Sequence, residues 1–319
     1  MIEGIPKISV LVICYNQENV ISRAIDSLLA QKDYIYEICV SDDCSKDRTW
    51  EILQEYSRQY PGLFVLNRNE PNVGIFENIE KTWTMPTGDL VYRLAGDDEC
   101  GESWFHQVIT YINDNKIDYK NELFTILGDY RAIYPNGDSM IFRNNLILTS
   151  VDPVYLFLRT VIGNRSACFS KNILKKHEKV SQGRSHIAES AIDIQLAINT
   201  EKFYYIPYVG NLYYANVGIS RNTSSDEYFQ ERNEILPYAL SFLEQKDVKV
   251  DSRINDFLKS NIAEKTFLHQ KSMKNFCHFI FSKLLSYDSR IGLKSLGFKP
   301  YLFSIIRKIK HKNPLIIKV

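Results

Sequence analysis

The chain has 319 residues, 45% of them hydrophobic and 24% charged, which suits a globular α/β protein with one large domain or a domain plus an appendage. Its formal net charge of +1 hides an uneven distribution: residues 251–319 hold 14 Lys+Arg against 4 Asp+Glu, whereas the first 250 residues hold 25 against 34. The six cysteines show no C-x-x-C pair or zinc spacing, the N-terminus lacks a signal-peptide pattern, and no window has the ~18 uncharged apolar residues of a membrane span.

Ile8–Cys14 is a continuous β-branched run and predicts a central strand of a parallel sheet. Apolar residues at 21, 25, 28 and 29 predict a helix over Glu18–Ala30. Tyr36–Ser41 reads as a second strand ending in Asp42-Asp43, and Asp47–Tyr60 as an amphipathic helix carrying Trp50, Leu53 and Tyr56. Leu63–Leu66 is a short third strand, Phe76–Met85 a helix stopped by Pro86, and Asp89–Ala95 a fourth strand that ends at Asp97-Asp98. A helix over Glu102–Asn115 follows. The runs LFTIL, YRAIY and SMIF then read as strands around a turn at Pro135–Asp138. A helix over His186–Asn199 precedes a strand at Phe203–Ile206, and residues beyond 250 read as helical and basic.

The early β-α-β-α-β alternation predicts a parallel sheet with helices on both faces, where ligands bind outside the carboxyl ends of strands. Tyr15-Asn16, Asp42-Asp43 and Asp97-Asp98 all fall at those ends. Two adjacent carboxylates at the end of an apolar strand repel, and burying them requires a compensating cation.

These stretches resemble family 2 glycosyltransferases of the GT-A fold, inverting enzymes of the bacterial surface-polysaccharide type. The matching stretches are ISVLVICYNQENVI, VSDDCSKDRT, NEPNVGIFEN, TGDLVYRLAGDDE and AESAIDIQLAINTEKFYYIP, in that order, over roughly residues 6–220. The resemblance implies a GT-A domain over 1–220, with a nucleotide-sugar part over about 1–100 and an acceptor part over about 101–220. A helical basic extension over 221–319 follows. It also implies a nucleoside-diphosphate sugar donor, UDP-linked by preference, and Mn²⁺ or Mg²⁺ bound directly by Asp98. Asp97 would then reach the ribose or an ordered water.

By the same resemblance Asp43 accepts a hydrogen bond from the base imide, while Asp42 holds its loop through backbone N–H groups. Tyr15 packs near the base, Asn16 belongs to the same nucleotide-facing loop, and Glu18 lies near the base or ribose. Gly74 permits backbone approach to the donor, and Asn78 is a polar position near it. Each has a bland reading beside it: Asp97-Asp98 and Asp42-Asp43 as helix caps and Asx-turns, Asn16 as a cap of its own helix, Asn72–Gly74 as a surface turn. The sequence departs from the fuller family pattern at Ala95, where many members carry another Asp, and at Asn216, where a His is expected.

Inverting transfer needs a base to deprotonate the acceptor hydroxyl. Counting back from Tyr205-Ile206-Pro207 puts Glu189 at the family position of that base, with Asp193, one helical turn on, as the alternative. The segment FKPYLFSIIRKIKHK (298–312) has one apolar face ringed by basic residues. It suits a helix lying on an anionic membrane surface, or a terminal helix packed on the domain. Membrane contact fits a saccharide or lipid-linked saccharide acceptor in capsule, O-antigen or exopolysaccharide synthesis, and a cytoplasmic protein peripheral at the inner face of the membrane. The acidic body and the lack of a binding motif speak against nucleic acid. The alternative function is a noncatalytic sugar-nucleotide-binding partner on the same fold, motivated by Ala95 and Asn216. A nucleotidyltransferase would need a Gly-rich phosphate loop where this chain has CYNQEN.

Overall fold

A computed structural model describes residues 4–143, 166–177 and 188–215, and residue 217. The chain divides into two compact units, Met1–Ala239 and Leu240–Val319, and every described residue belongs to the first. The basic tail and Asn216 lie outside the described residues. Among the described residues no helix is long and apolar enough to cross a membrane.

The elements run β1 (Ile8–Cys14), α1 (Ile21–Leu29), β2 (Ile35–Asp42), α2 (Thr49–Gln59), β3 (Phe64–Arg68), α3 (Ile75–Thr82), β4 (Leu90–Ala95), β5 (Glu99–Cys100), α4 (Trp104–Asp114), β6 (Phe124–Ile133), β7 (Ser139–Phe142), β8 (Ala167–Ser170), α5 (Ala188–Asn199) and β9 (Lys202–Tyr214). The strands form one sheet in the order β3-β2-β1-β4-β8-β6-β9-β5, with β7 added to β6. Strands β3, β2, β1 and β4 are parallel, as the sequence predicts. Beyond this early alternation the sheet is mixed: β8 runs antiparallel to both β4 and β6, β5 runs antiparallel to β9, and β6 runs parallel to β9.

Alternation along β1 feeds two cores. Ile8, Val10 and Val12 pack with Ile21, Ala24, Ile25 and Leu28 of α1 and with Val108 and Ile112 of α4. Leu11 packs on the opposite face with Phe76 and Ile79 of α3 and with Ile192 and Leu196 of α5. The i, i+3, i+4, i+7 spacing in α1 is what puts its four apolar residues against the sheet. The larger three, Ile21, Ile25 and Leu28, contribute about 1.5–3 kcal/mol each when fully buried.

Helix α1 starts three residues later than predicted. The N–H groups of Asn16, Gln17 and Glu18 donate instead to Ser45 Oγ (2.9 Å), Thr49 Oγ1 (2.7 Å) and Asp47 Oδ2 (3.0 Å). Those acceptors across the loop hold the segment out of helix. Strand β9 extends eight residues past the predicted Ile206, through Pro207, before which the predicted strand stops, and through Gly210. Its far end pairs Asn211 and Leu212 with Cys100 and Glu99 of β5. That pairing carries Tyr214 to the end of β4.

The junction is tight at Gly101, whose N–H donates to the Gly210 carbonyl at 3.0 Å. A Cβ on Gly101 would stand 1.9 Å from the Val209 carbonyl oxygen. Backbone cannot yield as a side chain can. Gly101→Ala is therefore expected to cost about 3 kcal/mol, the upper part of the overpacking range. Chemical denaturation of the variant checks this, and an unchanged midpoint would show that β9 can part from β5 without loss.

Candidate active site

The parallel strands end level with one another. In register, Ile13 of β1 lies opposite Ala95 of β4, and Cys14 lies opposite Asp42 of β2. The loops 15–18, 43–48 and 96–98 therefore leave the sheet side by side. The sequence expects the ligand at this edge, and the structure brings Tyr15, Asn16, Glu18, Asp43 and Asp97-Asp98 to it. Gly74 and Asn78 join through contacts with β2 and its loop.

Asp42 and Asp43 are both buried, at 0% and 2% exposure, so each must be satisfied internally. Asp42 Oδ2 accepts from the Ser45 N–H at 3.0 Å, which is the loop-holding contact expected of it. Arg68 Nε stands 3.5 Å from the same oxygen. Its N–H is not aligned on any acceptor, so this is a charge contact rather than a hydrogen bond. Asp43 Oδ1 accepts from Asn69 Nδ2 and from the Val73 N–H, both at 2.9 Å, and Oδ2 accepts from the Gly74 N–H at 2.8 Å. An ionised carboxylate has about four acceptor positions, and three are used in shaping the 69–74 loop. Asp43 is thus a structural latch whatever else it does. Asp43→Ala leaves three donors without this acceptor and is expected to cost about 3 kcal/mol. A thermal melt checks the loss, and a melt unchanged from wild type would show that water replaces the carboxylate freely.

Asn16 and Glu18 do not cap their own helix. Asn16 Oδ1 accepts from the Lys46 N–H at 2.8 Å, and Glu18 Oε2 accepts from the Arg48 N–H at 2.9 Å. They cap the entry to α2 across the gap, with Asn16 at φ 51° making the turn. Asn78, 2% exposed, binds the Ser41 carbonyl through Nδ2 at 3.1 Å and accepts from Asn69 Nδ2 at 2.9 Å. It ties α3 to the end of β2 from beneath the loop. Tyr15 is 40% exposed at the mouth. Gly74 has φ 86° and ψ 159°, a backbone region open in practice to glycine, and a Cβ there would meet nothing within 4 Å. The space above this residue is open.

Asp98 is 3% exposed, and its Oδ1 accepts from the Tyr214 N–H at 3.0 Å. Asp97 is half-buried. Arg23 of α1 reaches the backbone of this turn and the neighbouring Glu99. Its Nη2 donates to the Asp97 carbonyl at 2.5 Å, and its Nε stands 3.2 Å from Glu99 Oε1. Its Cζ lies 3.5 Å from the centre of the Tyr214 ring. The Tyr214 hydroxyl donates to Glu99 Oε1 at 2.6 Å, and burial together with that carboxylate pushes the phenol up to about 12. Among the described residues no three His, Cys, Asp or Glu side chains form a metal cage. Asp97 and Asp98 are hard oxygen donors, the set used by a cation that keeps phosphate and water as its other ligands.

Glu189 falls in the first turn of α5. Asp193, in the same helix, is ion-paired with Arg93 of β4, with side-chain exposures of 9% and 20%. The Arg93 guanidinium also faces the Trp83 ring at 5.9 Å. This pair pins α5 to the sheet face on which Leu11 and Val91 lie.

The profile of the Glycosyl transferase family 2 domain matches residues 9–135, the segment that contains the ends of β1, β2 and β4. This segment belongs to glycosyl transferase family 2. An uncharacterized glycosyltransferase of Haemophilus influenzae is 27% identical over 190 residues, 56% of this chain and 56% of its own. A poly(ribitol-phosphate) beta-glucosyltransferase of Bacillus spizizenii is 24% identical over 212 residues, 63% of this chain and 32% of its own. The chain thus spans about half of the first relative and a third of the second. The crystal structure of S. aureus TarS 1-349 in complex with UDP-GlcNAc superposes with a TM-score of 0.60 at 16% identity, covering 86% of this chain and 79% of that one. At that identity the likeness speaks for the fold.

Sequence reasoning missed three residues that hold the loops of this edge in place. Arg23 meets Asp97 across 74 residues, so no local pattern marks it. Tyr214 lies in a Tyr-rich stretch that was legible, but its place at Asp98 depends on the length of β9. Asn69 looks like an ordinary turn residue and joins Asp43 to Asn78.

Proposed function

We propose that the chain transfers a sugar, with inversion, from a UDP-sugar to a hydroxyl acceptor at the carboxyl edge of β2, β1 and β4. The observation that carries this reading is the level exit of loops 15–18, 43–48 and 96–98, with the buried carboxylates of Asp43 and Asp98 at their roots. Such an edge is where open α/β sheets bind ligands, and family membership of residues 9–135 supports sugar transfer as the chemistry. The ligand named in the TarS complex supports uridine as the base.

In this reading Tyr15 packs against the base, and the remaining acceptor position of Asp43 takes the imide N–H. Asn16, Glu18 and Asn78 serve the donor through the loops they hold, and Gly74 leaves room for it. Asp98, with Asp97 beside it, would hold Mn²⁺ or Mg²⁺, which supplies Lewis-acid stabilisation of the departing diphosphate. Glu189 takes the proton of the acceptor hydroxyl. The acceptor would be a saccharide, lipid-linked at an anionic membrane surface that the basic tail meets.

Thermal unfolding with added nucleotide tests the donor assignment. A ligand at 100 times its dissociation constant stabilises by about 2.7 kcal/mol. UDP with Mn²⁺ is expected to raise the melting temperature more than ADP with Mn²⁺ does. Equal shifts would remove uridine selectivity, and no shift with any nucleoside diphosphate would remove the donor site.

A further inference from the structure

We infer that Arg23 is a positioning residue for the carboxylates at the end of β4, setting the affinity of that edge for a divalent cation bound with a nucleoside diphosphate. The inference rests on the donor reading above and goes beyond it by naming a residue on another element, α1, that sets the geometry.

The contacts link α1, the end of β4 and the end of β9. Arg23 holds the Asp97 carbonyl, and so the peptide plane that leads into Asp98. Its flat face lies on Tyr214, and the Tyr214 N–H holds Asp98 Oδ1. Arg23 and the Tyr214 hydroxyl meet again on Glu99 Oε1. Asp98 is held by its own N–H on the Ala95 carbonyl at 3.0 Å, by the Tyr214 N–H on Oδ1, and through the Asp97 carbonyl ahead of it. The guanidinium acts directly on the last of these and lies against the side chain of the residue that makes the second.

The geometry calls for arginine. One planar group donates from its end, presents charge along its edge and stacks through its face, three tasks that an ammonium cannot perform together. Its positive charge meets the Glu99 carboxylate at 3.2 Å. A partly exposed ion pair of this kind contributes little to stability by itself. Its expected value lies in orientation, since partners behind metal-binding carboxylates shift metal affinity about 10–100-fold.

The experiment titrates Mn²⁺ into the full-length protein with saturating UDP and reads free Mn²⁺ by electron paramagnetic resonance. Wild type, Arg23→Lys and Tyr214→Phe are compared, each with a thermal melt, and UDP binding is measured separately without metal. Arg23→Lys is expected to bind Mn²⁺ about tenfold more weakly, with metal-free UDP affinity unchanged. Tyr214→Phe, which loses only the hydroxyl on Glu99, is expected to shift the same way by a smaller factor. A folded Arg23→Lys protein with wild-type Mn²⁺ affinity overturns the inference. Should that variant fail to fold, Tyr214→Phe decides: an unchanged Mn²⁺ affinity overturns it equally. Absence of Mn²⁺ binding by wild type with UDP bound overturns this inference, whereas absence of UDP binding by wild type removes the donor reading on which it rests.

Discussion

Asp98→Asn is expected to abolish sugar transfer in a protein that remains folded. The amide keeps an acceptor oxygen for the Tyr214 N–H that now meets Oδ1 at 3.0 Å, so the junction of β4 and β9 persists. What is lost is the negative charge that would hold a divalent cation against the diphosphate. That stabilisation contributes several kcal/mol to the transition state, and each 1.4 kcal/mol is about tenfold in rate. The fall should therefore exceed about 10³-fold in UDP release, with a melting temperature close to wild type. Full turnover with metal still required would show that the cation is held elsewhere.

Glu189→Gln is expected to retain UDP binding and lose transfer by about 10²–10⁴-fold, because glutamine cannot accept the acceptor proton at neutral pH. Its neighbour one turn on supplies the contrast. Asp193 is paired with Arg93 in a largely buried setting, and breaking such a pair costs about 3–5 kcal/mol. Asp193→Asn should therefore lower the melting temperature, while the protein that stays folded at low temperature retains transfer. Transfer kinetics at low temperature and a melt on both variants separate the roles. A rate loss confined to Asp193→Asn would move the base by one helical turn.

The parallel half of the fold was legible because its signals are local. ISVLVIC is a buried strand by composition alone, and the helix α1 repeats its apolar residues at 3.6-residue spacing. The mixed half was legible in part: the runs at β6, β7 and the start of β9 read as strands, but β8 is four residues long and β9 runs on through Pro207 and Gly210. The candidate site shows the same division. Asp43 and Asp98 stand out because paired carboxylates at strand ends need an explanation from sequence alone. Arg23 does not stand out, because an arginine on an amphipathic helix is ordinary until β9 brings Tyr214 over it. The loop-capping work of Asn16 and Glu18 was hidden for a related reason. Their partners, Lys46 and Arg48, offer backbone N–H groups rather than side chains.

The most direct test of the account is a crystal structure of the protein grown with UDP and Mn²⁺. The account predicts the uracil between Tyr15 and Asp43, the diphosphate beside Asp97-Asp98, and the metal on the Asp98 carboxylate. UDP bound away from the carboxyl edge of β2, β1 and β4, or a metal held by residues other than Asp97 and Asp98, would contradict it.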